Sequence, residues 1–170
     1  MRKANYDKFP STKLTGMLVQ GWDSIISMLK KKMDARKVLA VDLYTGVYEE
    51  EVLDAFSKEF SGRVMNVRDL MKPEKEIQTL TERFMTEDVL FGYVTNLKLE
   101  DYLDADKVAA ARKQISEAKE TIVIIGTGAA VVAPQDAMVV YADMARWEIQ
   151  QRFRRHEVKA LRSEEHTSEL

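Results

Sequence analysis

At 170 residues, 45% hydrophobic and 32% charged, the chain has the size and composition of one soluble globular domain. Its 26 basic and 28 acidic residues are interspersed. This excludes a basic stripe long enough to track nucleic acid, although RRHEVK forms a short basic patch, and no apolar run approaches the roughly 18 residues of a membrane span. The opening MRKANYDKFP lacks the apolar core of a signal peptide. Absence of cysteine excludes disulfides and thiolate chemistry and fits a cytoplasmic location.

The predicted elements alternate in type along the chain. Trp22, Ile25, Ile26, Leu29 and Met33 recur at helical spacing, within a first thirty residues that read as a helix added to the sheet. KVLAV then reads as a buried strand, and Val52, Ala55, Phe56 and Phe60 mark a second helix. GRVMNV is the next strand. Pro73 suits the first turn of a third helix with Ile77, Leu80 and Phe84 along its inner face. DVLFGYV is a predicted strand. Val108, Ala111, Ile115 and Ala118 stripe a long helix, and TIVIIG is the most strand-like segment of all. AMVVY follows, then a helix from about Met144. Strands that are apolar on both faces, alternating with helices, predict an α/β fold: three layers, a mostly parallel sheet and helices on both faces.

The domain is expected to span residues 1–161. The last nine residues, RSEEHTSEL, match in frame a translation of the common short-read sequencing adapter. Residues 162–170 are therefore expected to be adapter read-through, disordered and outside the fold. Without them 25 basic and 25 acidic residues remain, and His156 is the one histidine left.

Chemistry in such sheets gathers beyond the carboxyl ends of the strands. Two strand ends qualify. In VDLYTGVYEEE, Thr45 could offer a hydroxyl and Gly46 a close backbone approach to phosphate, but the lysine of a phosphate loop is missing. Glu49, Glu50 and Glu51 favour a helix N-terminus and would repel a triphosphate, so a structural turn is preferred here. In IVIIGTGAA, Gly126, Thr127 and Gly128 follow a buried strand as part of a GxGxxG pattern. Small residues letting a loop cross the sheet end explain them better than a dinucleotide. Further along, Arg146, Arg152, Arg154 and Arg155 could clamp phosphate or carboxylate, although not all four share one helix face. The plainer alternative is a solvated or partner-binding helix anchored by Trp147 and Phe153. Asp42 and Asp69 could hold a metal or accept a proton, but lone strand-end aspartates more often cap turns or helices. Within residues 1–161 no HExxH, HxxE or GxSxG pattern is present, so no catalytic residue and no metal site are expected.

The order of elements, with IVIIGTGAA followed by DAMVVYADMARWEIQQRFRR, resembles the uridine-kinase branch of the P-loop kinases. That resemblance implies a P-loop-kinase-like frame, lid-like roles for Arg152, Arg154 and Arg155, and a substrate-side role for Asp69. The phosphate loop departs from that family's pattern, a degenerate Walker A. NYDKFPSTKLTG, YTGVYEEEV, TERFMTEDVLFGYVTN and VYADMARWEIQQRFRR are also similar to the N-terminal region of long bacterial class I mannose-6-phosphate isomerases of the Bacteroides type. This second resemblance implies a parent that interconverts mannose 6-phosphate and fructose 6-phosphate, with zinc held by a missing C-terminal cupin domain. The fragment itself would be non-catalytic and without cofactor. Its implied partners are that cupin domain and a sugar phosphate or other phosphorylated small molecule, with no nucleic acid and no membrane. An active phosphotransferase of uridine-kinase type and a pure protein-interaction module are the alternatives.

Overall fold

The computed structural model describes residues 10–13, 15–87, 92–159 and 161. In chain order the elements are α1 (Trp22–Met33), β1 (Val38–Leu43), α2 (Glu49–Glu59), β2 (Arg63–Asn66), α3 (Glu74–Glu82), α4 (Ala105–Glu117), β3 (Ile122–Gly126), α5 (Ala129–Val132), β4 (Met138–Ala142) and α6 (Arg146–Arg154). Short 3-10 turns cover Val67–Leu70 and Leu99–Tyr102. The four strands form one parallel sheet in the order β2-β3-β1-β4.

Burial explains which strands lie inside. Ile122 to Ile125 of β3 are at most 1% exposed, and Leu39 and Ala40 of β1 are fully buried. A strand covered on both faces must be apolar at every position, as IVIIG and VLAV are. Even-numbered side chains of both strands (Val38, Ala40, Ile122, Ile124) pack with Val108, Ala111 and Ile115 of α4 and with Val132 of α5. Odd-numbered ones (Leu39, Val41, Val123, Ile125) pack with Ile26 and Leu29 of α1 and with Val52 and Phe56 of α2. Each fully buried Val, Leu, Ile or Phe among them contributes about 1.5–3 kcal/mol. Local signals agree with the long-range ones: the Asp104 carboxylate accepts from the backbone N–H of Asp106 and Lys107 and so caps α4.

The crossovers follow one rule. From β1 the chain passes across β3 to β2 with α2 on one face. From β2 to β3, and from β3 across β1 to β4, it travels the other way with α4 and α5 on the opposite face. Reversing both direction and face preserves handedness. The neighbouring strands β1 and β3 thus send their chains to opposite sides, and a crevice opens between their carboxyl ends.

Three expectations need correction. Of the predicted strand DVLFGYV, residues 88–91 lie outside the described residues, and Gly92–Val94 form no strand. Tyr93 instead donates its backbone N–H to the Phe84 carbonyl at 2.9 Å and Val94 is 98% exposed, so Gly92–Val94 turn back on the end of α3 without joining the sheet. The helix α3 stops at Glu82, short of Phe84. There the Thr81 hydroxyl donates to the Ile77 carbonyl, and the Phe84 N–H takes the tighter bond to Thr81. Finally, α6 begins at Arg146, two residues after Met144.

Candidate functional site

A cavity of about 770 Å³ opens at the carboxyl end of the sheet, where ligands of this architecture sit. Thr45, Gly46 and Thr127 line it. Five glutamates also line it, against Arg68, Lys72 and Lys159, so the charge balance disfavours an anion. Arg68 is already paired with Glu49 at 3.2 Å, and the Lys72 ammonium donates to the Asp101 carbonyl at 2.7 Å. A second cavity, of about 810 Å³, lies at the amino end beside Arg36, Lys37 and Arg112. None of the candidate site residues named from the sequence lines it. The Arg112 guanidinium there donates to the Val131 and Val132 carbonyls and caps the end of α5.

The crevice between β1 and β3 is closed from within. Asp42 lies opposite Gly126 in the β1–β3 register. Its Oδ1 accepts the Gly128 N–H at 3.0 Å and its Oδ2 accepts the Ala130 N–H at 2.9 Å. A carboxylate of the protein therefore takes the start of α5, where sequence placed a phosphate candidate. The Thr127 hydroxyl donates to the Leu43 carbonyl at 2.9 Å and ties the two strand ends together a second time. Gly126 has a packing reason of its own. At φ +135°, a Cβ there would lie 2.9 Å from Val67 Cβ. The glycine lets the turn after β2 press against β3.

The loop after β1 is closed by α6. Gly46 is buried at φ +93°, with Ile149 carbons 3.1 Å from where a Cβ would stand. Its carbonyl accepts Arg152 Nη1 at 2.7 Å, and the Arg152 guanidinium lies 3.6 Å from the Tyr48 ring centroid. Arg152 Nε also pairs with Glu148 at 3.2 Å. Arg155 donates to both oxygens of Glu157, at 2.7 and 2.8 Å, and to Glu148 at 3.1 Å. The Tyr48 hydroxyl donates to Glu157 at 2.5 Å. The hydrogen bonds of Arg155, and then of Tyr48, pull the Glu157 carboxyl down to about 2. Those of Arg152 and Arg155 lower Glu148. The bond to Glu157 raises the Tyr48 phenol, and the same carboxylate raises Arg155.

The candidates thus separate. Thr45, Gly46 and Thr127 share the carboxyl-end cavity, and Asp42, Gly126 and Gly128 join Thr127 in the crevice. Arg152 and Arg155 are held in the network under α6. Arg146, the first residue of α6, and Arg154, near its end, are exposed. Asp69 is exposed on the turn after β2 and is not among the residues lining that cavity. Among the described residues no group of three or more His, Asp or Glu is placed to hold a metal. Sequence reasoning passed over Tyr48, Glu148 and Glu157. The signal for one was present: Glu148 stands four residues before Arg152, a spacing that pairs charges on a helix.

Fold and site together define an α/β domain with a parallel sheet of four described strands and an internally closed switch point. The chain belongs to a family described as a domain of unknown function, DUF8485, which matches residues 21–170. No curated protein and no solved structure matches it. No helix among the described residues is long and apolar enough to cross a membrane.

Proposed function

We propose that this is a non-catalytic regulatory or assembly domain of a mannose-6-phosphate isomerase-type protein, built on a kinase-like frame that no longer takes a nucleotide. The occupation of the crevice by Asp42 carries the non-catalytic part. Its two oxygens accept the N–H groups of Gly128 and Ala130, which a phosphate would otherwise need. Arg152 and Arg155, the arginines such a site would borrow, are spent on Glu148 and Glu157. The parent assignment rests on the resemblance of the four quoted segments, YTGVYEEEV and VYADMARWEIQQRFRR among them. Calorimetry of the chain with ATP and Mg²⁺ tests the first part. No saturable heat is expected, and tight Mg²⁺-dependent binding would favour a phosphotransferase instead. For the second part, the reading frame beyond Leu161 is expected to encode a cupin with spaced His and Glu zinc ligands. A frame without one removes the isomerase parent.

A further inference from the structure

β4 pairs along one side with β1, and no second partner strand is present among the described residues. An exposed sheet edge is ordinarily blunted by charge, proline or a bulge. MVVYA has no charged residue and no proline, and its register with β1 runs unbroken from Met138 to Ala142. Val139 is 54% and Tyr141 58% exposed, and Tyr44, 47% exposed, stands beside Tyr141 with ring centroids 6.2 Å apart. Such an edge invites another strand.

The hydrogen bonding says which strand fits. Tyr44 N–H donates to the Ala142 carbonyl, so residues 138, 140 and 142 turn their backbone groups toward β1. Because these groups alternate along a strand, Val139 and Tyr141 present theirs outward. An antiparallel copy of the same strand, related by a two-fold axis at Val140, meets those groups. Val139 then faces the copy's Tyr141, and Tyr141 its Val139, each pair exchanging two backbone bonds. Both are aromatic–β-branched cross-strand pairs, a favourable combination. In this register Asp136 meets Met144 and Asp143 meets Ala137, so no like charges oppose one another. Sliding by two residues loses this match: one direction sets Val139 against Asp143, the other sets Tyr141 against Ala137.

We propose that β4 is a homodimerisation edge, pairing antiparallel with its counterpart about Val140 to join two sheets into one. This stands independently of the ligand and parent assignments above. The test is the solution mass of the 170-residue chain by sedimentation equilibrium, with Tyr141→Lys and Val139→Lys as variants that place charge on the joined edge. The wild type is expected at twice the 19.5 kDa chain mass. Both variants are expected at the single-chain mass with unchanged circular dichroism. Because the chain has no cysteine, Val140→Cys supplies a clean register probe. It is expected to cross-link to a dimer under mild oxidation, and Arg36→Cys, away from the edge, is not. A monomeric wild type would overturn the proposal. So would a dimer that survives both lysine variants, or one that Val140→Cys does not cross-link.

Discussion

The β1–β3 crevice and the junction under α6 both fill a place where an anion could have been held, and they do so by different means. In the crevice one carboxylate, Asp42, meets two backbone N–H groups at the start of α5, directly after β3. Under α6 the work is shared by two arginines, two glutamates and a tyrosine, with Arg155 and Glu148 more than one-third exposed. Backbone donors held in the short turn between a buried strand and α5 make the stiffer closure. Long charged side chains near water lose entropy and are screened, so their closure is weaker and more responsive to salt and pH. One lock belongs to the fold, and the other can be opened without unfolding it.

The largest expected effect breaks the crevice from below. Gly126→Ala combines a backbone conformation unsuited to a side chain with a 2.9 Å approach to Val67. It should cost about 4 kcal/mol in chemical denaturation. Asp42→Ala should follow, at about 2–3 kcal/mol, because two N–H groups lose a charged acceptor. Asp42→Asn should cost about half of that, since an amide oxygen can still serve one of them. At the other site the effects shrink. Arg152→Ala loses the Gly46 carbonyl bond and the contact with Tyr48. It should cost about 1 kcal/mol and speed proteolysis at Gly46–Tyr48 more than elsewhere. A Gly126→Ala cost no greater than that of Arg152→Ala would erase the distinction between the two closures.

The pH response sharpens the same contrast. The Glu157 carboxyl is pulled from its ordinary 4.5 to about 2 by Arg155 and Tyr48. A depressed folded value means that the ionised form favours the native state. That contribution is complete above pH 4.5 and is lost as pH falls to about 2. In acid titrations followed by circular dichroism, Glu157→Gln should therefore flatten the loss of stability across this window. Above it, the variant's stability should run parallel to that of the wild type.

How much of this was legible in the sequence depends on the range of the interaction. The buried strands VLAV and IVIIG and the stripe of α4 are local patterns, and they emerged where the periodicity placed them. The α3 boundary did not, because Thr81 bonding back to Ile77 is a local competition that apolar spacing does not register. DVLFGYV reads as a strand from composition, but its described end, Gly92–Val94, turns back on Phe84. At the candidate site, sequence could show that VDLYTGVYEEE lacks the phosphate-loop lysine. The partner of Asp42 lies 86 residues away, and that of Tyr48 109 residues away, pairings that only the topology creates. The strand order, which makes β1 and β3 neighbours, was likewise beyond local patterns.

The switch point is occupied by the protein's own carboxylate. Amide NMR of Gly128 and Ala130 during titration with ATP and Mg²⁺, and separately with inorganic phosphate, tests it most directly. Both resonances are expected to be protected from exchange and unmoved by either titrant in the wild type, and to shift on Asp42→Asn. A saturable shift of Gly128 and Ala130 in the wild-type chain would mean that Asp42 does not keep an anion out of the crevice.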